Sequence, residues 1–123
     1  MARKKILLVD DSATALMMGK IFLSKKGFDL VFARDGEEAV AQSIAERPDL
    51  ILMDVIMPKL NGFDACKRIR SAAATKDIPI IMVTTRGEAD NVELGFACGC
   101  NDYIAKPINS LELMAKLENL LGP

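Results

Sequence analysis

Leu50-Ile51-Leu52-Met53-Asp54 is four apolar residues closed by a carboxylate. A run this short and continuous, with no polar alternation, reads as a strand buried on both faces of a parallel sheet. The same form recurs along the chain. Ile6-Leu7-Leu8-Val9 runs into Asp10-Asp11, Ile80-Ile81-Met82-Val83 into Thr84-Thr85, and Tyr103-Ile104-Ala105 into Lys106-Pro107. In open α/β sheets, ligands bind beyond the carboxyl ends of the strands. Three carboxylates, a hydroxyl and an ammonium are therefore expected to meet at one edge of one sheet. Carboxylates gathered there ask for a divalent cation. A hydroxyl and a lysine beside them ask for a phosphate.

The stretches between these runs are helical in pattern. Strands are expected at about 5–10, 29–33, 49–54, 79–84 and 102–106, each followed by a helix. The first helix follows Asp10-Asp11-Ser12 and stops at Lys25-Lys26-Gly27, cations in the last turn and a glycine beyond. Asp35 caps the second, with Glu38 three residues on, and it stops before Pro48. The third follows Asn61-Gly62. The fourth covers about 88–98 and ends at Gly99. Asn109 caps the fifth, with Glu112 three residues on and Gly122 past its end. Pro79 is expected at the first position of its strand, where no ladder donor is lost. Alternating strands and helices imply an α/β, doubly wound (βα)5 fold with a parallel five-stranded sheet. The flavodoxin-like order 2-1-3-4-5 sets the first and third strands side by side, so that Asp10-Asp11 face Asp54.

At 123 residues, half of them hydrophobic, the chain fits one domain over 1–123 with one sizeable core. The net charge of −1 shows no basic footprint for nucleic acid, and Arg3-Lys4-Lys5 reads as a solvated flank. The first apolar run is too short for a signal peptide or a membrane span. The protein is therefore expected to be soluble and cytoplasmic, with no membrane contact. Cys66, Cys98 and Cys100 do not suggest a disulfide scaffold. With no histidine in the chain, they do not complete a zinc site either. They are expected as small, semi-buried residues, two of them in the turn after a helix.

Three crowded carboxylates repel one another, a penalty that bound Mg²⁺ removes. Mg²⁺ prefers oxygen ligands and is typically shared between one or two carboxylates and a phosphate. Asp54 is the most central, and a carboxylate can act as a nucleophile toward phosphorus. The metal, Thr84 and Lys106 would neutralise charge on the transferred group. Taken singly, each residue has a plainer role: Asp10-Asp11-Ser12 as a helix cap, Asp54 capping a loop, Thr84 in a strand, Lys106 in solvent. Independent capping does not predict all five at equivalent strand ends.

These residues carry a resemblance. Ile6-Leu7-Leu8-Val9-Asp10-Asp11-Ser12, Leu52-Met53-Asp54 through Asn61-Gly62, Val83-Thr84-Thr85 and Gly99 through Pro107 resemble the response-regulator receiver domains of two-component signalling. The chain is similar to the single-domain chemotaxis regulators. The resemblance implies that Asp54 is the phosphoacceptor, that Asp11, Asp54 and the backbone carbonyl of Ile56 bind Mg²⁺, and that Asp10 acts through water. It implies that Thr84 and Lys106 hold the phosphoryl group, that Tyr103 is a switch aromatic turning inward when Thr84 moves, and that the Lys106-Pro107 bond is cis. A sensor histidine kinase or phosphotransfer protein would be the donor. A downstream protein, or a second copy, would bind the face of the fourth helix, fifth strand and fifth helix. On this reading the protein is not an enzyme, but assists its own phosphotransfer and autodephosphorylation.

Other readings remain at this stage. A flavin-binding protein shares the fold, but Asp10-Asp11 would repel a phosphate, and the chain has one tyrosine and no tryptophan. An aspartyl-phosphate phosphatase needs a second acid two residues after the nucleophile, where Ile56 stands. A phosphorylation-independent binding module would show a lost acceptor or lysine, and both are present. The chain ends just past the fifth helix with no output domain, which suits a stand-alone receiver or a fragment of a longer regulator or hybrid kinase. Ile108 stands where phenylalanine is frequent in the family, Cys98 and Cys100 where alanine is commoner, Thr85 is larger than the alanine often found there, and Arg86 is a long cation one residue further.

Overall fold

Each apolar run becomes a strand. In a computed structural model describing residues 3–55, 57, 59–85 and 96–122, five parallel strands lie in the order β2-β1-β3-β4-β5. They are β1 (Lys5–Val9), β2 (Asp29–Ala33), β3 (Leu50–Asp54), β4 (Ile80–Thr85) and β5 (Asp102–Lys106). Four boundaries move by one residue, β4 running on to Thr85. Asp10 falls beyond β1 and Asp49 before β3, while Pro79 precedes β4 instead of opening it. Pro79 still serves the ladder through its carbonyl, which accepts from Ile51 N–H at 2.9 Å.

Helices cover both faces: α1 (Ala13–Lys25), α2 (Gly36–Glu46), α3 (Gly62–Ser71) and α5 (Ser110–Leu121). Residues 96–98 are helical and end the helix expected over 88–98, here α4. The remainder of that expected span lies outside the described residues. Side chains alternate across a strand with period two, so each strand feeds two cores. Leu7, Val9, Ile51, Met53, Ile80 and Met82 pack beneath α2 and α3. Ile6, Leu8, Leu50, Leu52, Ile81, Val83 and Ile104 pack beneath α1 and α5.

The helix starts follow the expected caps. Side chains of Ser12, Asp35, Asn61 and Asn109 accept from backbone N–H groups of Ala15, Glu38, Asp64 and Glu112. Each cap satisfies an otherwise orphaned donor of the first turn. Every one of these helices begins just past a strand's carboxyl end, so their positive dipole ends face the same edge of the sheet. The stops differ in kind. α1 ends before Gly27 at φ 91°, whereas α2 ends on Arg47, a non-glycine residue in the left-handed region at φ 44°.

The cysteines are more enclosed than expected. Cys66, Cys98 and Cys100 are all buried, in the core beneath α2 and α3. The Cys66 thiol donates to the Cys98 carbonyl at 3.3 Å. Burial pushes Cys66 up from 9.0 to about 11 and Cys100 to about 12. Both are therefore neutral thiols near pH 7. No described helix is long and apolar enough to cross a membrane.

Candidate functional site

Two strand ends, of β1 and β3, bring the expected carboxylates together. Carboxylate oxygens of Asp10, Asp11 and Asp54 lie within 4.8 Å of one another, and among the described residues this is the one cluster able to hold a metal ion. Asp54 closes β3 and is 7% exposed. Its burial follows from its place in the ladder: it pairs with Val83 in register, and the next N–H, Val55, donates to the Val83 carbonyl at 3.1 Å. Asp10 is held from both sides. Its N–H donates to Ala33 at 3.1 Å, and its carboxylate accepts from Ser12 N–H at 2.9 Å. The Arg34 guanidinium donates to the Asp11 carbonyl at 3.2 Å, tying the end of β2 to the β1–α1 loop.

A glycine fixes the backbone behind Asp54. A Cβ on Gly62 would stand 2.5 Å from the Asp54 carbonyl oxygen and 3.0 Å from Val55 Cα. Only glycine lets α3 begin this close to the strand that carries the carboxylate. Gly62 N–H also donates to Val55 O at 2.9 Å, closing the β3–α3 loop.

Lys106 reaches into the acid cluster from the end of β5. Its Nζ donates to Asp54 Oδ2 at 2.9 Å and lies 3.6 Å from Asp10 Oδ2. Lys106 and Asp54 are 52 residues apart in sequence. Register explains the meeting. Asp54 pairs with Val83 and Lys106 with Thr85, so the lysine has only β4 to cross. Partial burial alone would lower the Lys106 pKa. The hydrogen bond and charge of Asp54, followed by those of Asp10, outweigh it, and the net shift is upward. The ammonium is thus a fixed positive charge in the site. The Lys106-Pro107 bond is cis.

Thr84 is 2% exposed near the end of β4. It pairs with Ala105, while Tyr103 pairs with Met82, which puts Thr84 and Tyr103 on one face of the sheet. Tyr103 is 36% exposed. Ile56, whose carbonyl was the expected third metal ligand, lies outside the described residues. The all-oxygen donor set suits a hard divalent cation such as Mg²⁺, and the seated ammonium shows that the cluster already draws positive charge.

The sequence pattern of the response regulator receiver domain matches residues 6–118. The chain belongs to this family. As a receiver it is 38% identical over 118 residues to the alkaline phosphatase synthesis transcriptional regulatory protein PhoP of Bacillus subtilis, covering 96% of this chain and 48% of that protein. The receiver thus spans about half the length of such relatives. Among solved structures, a putative response regulator from Chloroflexus aurantiacus superposes with a TM-score of 0.94 at 36% identity, covering 99% of this chain and 100% of that one. The receiver domain of the sensor histidine kinase PA1611 from Pseudomonas aeruginosa superposes at 0.91 with 33% identity, over 99% of this chain and 100% of that one. That structure has magnesium coordinated in its active-site cleft.

Two groups around this receiver's site carry no local sequence signal. One is the Lys106 contact to Asp10, which depends on four strands, β1, β3, β4 and β5, being in register. The other is the setting of Tyr103, whose ring meets Phe96 and Lys116. Lys116 is one of several lysines on polar helix faces, and nothing in its neighbourhood marks it.

Proposed function

We propose that residues 1–123 form one receiver domain acting as a phosphorylation-dependent switch, with Asp54 as phosphoacceptor. The observation that carries this reading is the site itself: a buried carboxylate ending the central strand, 2.9 Å from a lysine ammonium and within 4.8 Å of two further carboxylates. An Asp54 oxygen attacks phosphorus of a phosphohistidine on a sensor kinase or phosphotransfer protein. The acyl O–P bond forms as the donor's P–N bond breaks, and the leaving imidazole takes up a proton. Asp10, Asp11 and Asp54, with the Ile56 carbonyl, would hold Mg²⁺, which supplies positive charge to the phosphoryl oxygens. Lys106 supplies a second positive charge and keeps it in place through the Asp54 contact. Thr84 accepts the role of hydroxyl donor to the phosphoryl group. The burial of Asp54 and Thr84 keeps bulk water low around the bond that forms.

The surface supports a protein donor. Met17, Met18 and Ile21 project from α1 with more than half of each exposed. Met18 and Ile108 line one cleft of about 690 Å³ between α1 and α5, and Asp10 and Lys106 lie in the same cleft. An apolar rim beside a charged site fits a partner that must approach Asp54 closely. Output would run through Thr84 and Tyr103 to the α4-β5-α5 face, for a downstream protein or a second copy. The absence of nucleic-acid contact is proposed for this domain alone, since PhoP is named as a transcriptional regulator. A cytoplasmic location and a non-enzymatic role, beyond aiding its own phosphotransfer and dephosphorylation, complete the reading.

Intact mass after incubation with acetyl phosphate and Mg²⁺ tests it. The protein should gain one phosphoryl group, released by hydroxylamine as expected of an acyl phosphate. Asp54→Ala should gain none. Undiminished uptake by Asp54→Ala would overturn the assignment.

A further inference from the structure

Tyr103 is held by contacts that its backbone position does not require. The Phe96 ring meets it edge-to-face, with centroids 6.0 Å apart and planes at 88°. This arrangement sets the positive edge of one ring against the negative face of the other. Lys116 Nζ lies 5.6 Å from the centre of the tyrosine ring, close enough for a cation–π attraction. The lysine is itself tethered, by a 2.9 Å ion pair to Asp102 Oδ1. The same oxygen accepts from the Tyr103 backbone N–H at 2.8 Å. Two elements thus meet the ring, the end of α4 through Phe96 and α5 through Lys116, and Asp102 of β5 anchors the lysine beside it. Both partners keep substantial exposure, Phe96 at 47% and Tyr103 at 36%. The ring pair therefore lies on the surface and is not a piece of the core.

We propose that Phe96 and Lys116 are positioning residues for the switch, which hold Tyr103 outward and set how much of the active state exists before phosphorylation. The proposal rests on the reading of Tyr103 as the aromatic that turns inward, and deepens it. Thr84 and Tyr103 share a face, so an inward turn carries the ring toward Thr84. That turn breaks the edge-to-face contact and removes the ring from beneath Lys116. Each contact is weak at a surface, and each should shift the outward–inward ratio by roughly two- to tenfold. In a two-state protein whose active form is a minor population, a shift of that size is visible before any phosphate is added. Lys116 acts here through its charge, so a cation of other shape should serve and an isosteric apolar chain should not. Phe96 acts through its ring edge, which a small aliphatic chain lacks.

The chain has one tyrosine, so selective labelling gives a single ring signal by which its turn can be followed. Losing the Phe96 ring alters the shielding of that tyrosine directly. The populations are therefore read at the backbone amides of Thr84 and Ala105, in the wild type and in Phe96→Ala, Lys116→Met and Lys116→Arg. Each is recorded free and titrated with beryllofluoride and Mg²⁺. In free Phe96→Ala and Lys116→Met, both amides should move along the line joining the free and beryllofluoride-bound wild type. Half-saturation should come at two- to tenfold lower beryllofluoride. Lys116→Arg should stay with the wild type. If the wild type responds and the two variants start from its free position with its affinity, the holding role is refuted. A wild-type tyrosine ring that stays still, while amides around Asp54 shift, overturns the switch reading and the proposal with it. Thermal unfolding midpoints close to wild type separate the population shift from general loosening.

Discussion

The two edges of the sheet use charge in opposite ways. At the amino edge Arg70 and Asp49 close backbone groups. Arg70 donates to Gly99 O at 2.9 Å, to Ile78 O at 2.7 Å, to Lys76 O at 3.1 Å and to Asn101 Oδ1 at 2.7 Å. Asn101 Oδ1 accepts in turn from Ile80 N–H at 2.9 Å, so the entries to β4 and β5 are tied through one guanidinium. The Asp49 carboxylate accepts from Lys5 N–H at 2.7 Å and ties the entries to β1 and β3. At the carboxyl edge three carboxylates gather, two of them against one ammonium. Planar, multidentate hydrogen bonding of this kind stabilises a fold. Like charges held together do not, and they persist where a ligand will supply the missing charge. The same sheet is sealed at one end and kept ready for chemistry at the other.

Substitutions should sort by edge. The largest effect is expected from Arg70→Ala, which leaves several carbonyls without a donor. It should destabilise by about 3 kcal/mol, read as a lower urea midpoint with an unchanged slope. Arg70→Lys should recover only part, because an ammonium cannot reproduce the fork. A loss below about 0.5 kcal/mol in Arg70→Ala would break the contrast.

Alkaline pH probes the core between the edges. The folded-state pKa values of Cys66, about 11, and Cys100, about 12, stand above the ordinary 9.0. Above about pH 9, thiols of the unfolded chain lose protons that the folded chain retains. Stability should therefore be unaffected near neutrality and fall as pH rises from about 9 to 11. Urea titrations of wild type and of Cys66→Ala/Cys100→Ala across that range check it. The double variant should start less stable, with cavities in the core, yet decline less steeply. Equal slopes would show that the thiols do not carry the effect.

At the carboxyl edge, Asp11→Asn should act in two directions. Mg²⁺ affinity, followed by calorimetry, should drop about tenfold or more, since one carboxylate ligand is lost. In chelator the unfolding midpoint should hold or rise, because a repelling charge is gone. A fall in chelator would mean that Asp11 is structural, and would erase the distinction between the edges.

The smallest effect separates capping from chemistry within the carboxyl edge. Asn109→Ala removes the oxygen that accepts from Leu111 and Glu112 N–H groups and should cost about 1 kcal/mol. Phosphorylation from acetyl phosphate should keep its wild-type rate. A slowed rate would join the cap of α5 to the site.

Much of this arrangement is legible along the chain because it is local. Ser12, Asp35, Asn61 and Asn109 cap helices through partners no more than three residues away. The strands show as apolar runs because both of their faces are covered. Strand ends differ by one residue at Asp10, Asp49, Pro79 and Thr85, where pairing, not residue preference, sets the limit. The cysteines were expected half-buried because two of them stand beside Gly99 in what reads as a turn. Packing of that turn against α3 encloses them, and no short-range pattern reports it.

The sequence alone determined the fold class and the set of side chains delivered to the carboxyl edge, and handed crossovers narrowed the strand order to a few. Period, cap spacing and strand length are enforced within a few residues of chain, so they survive in the order of the letters. Tertiary structure decided which of those side chains touch. Lys106 meets Asp54 because β4 alone separates their strands. Arg70 meets Gly99 and Asn101 because α3 and the entry to β5 share one corner of the sheet. Tyr103 rests between Phe96 and Lys116 because β5 is an edge strand, around which a lysine of α5 can reach. Such contacts depend on register and on which elements flank an edge, and those are properties of the assembled sheet.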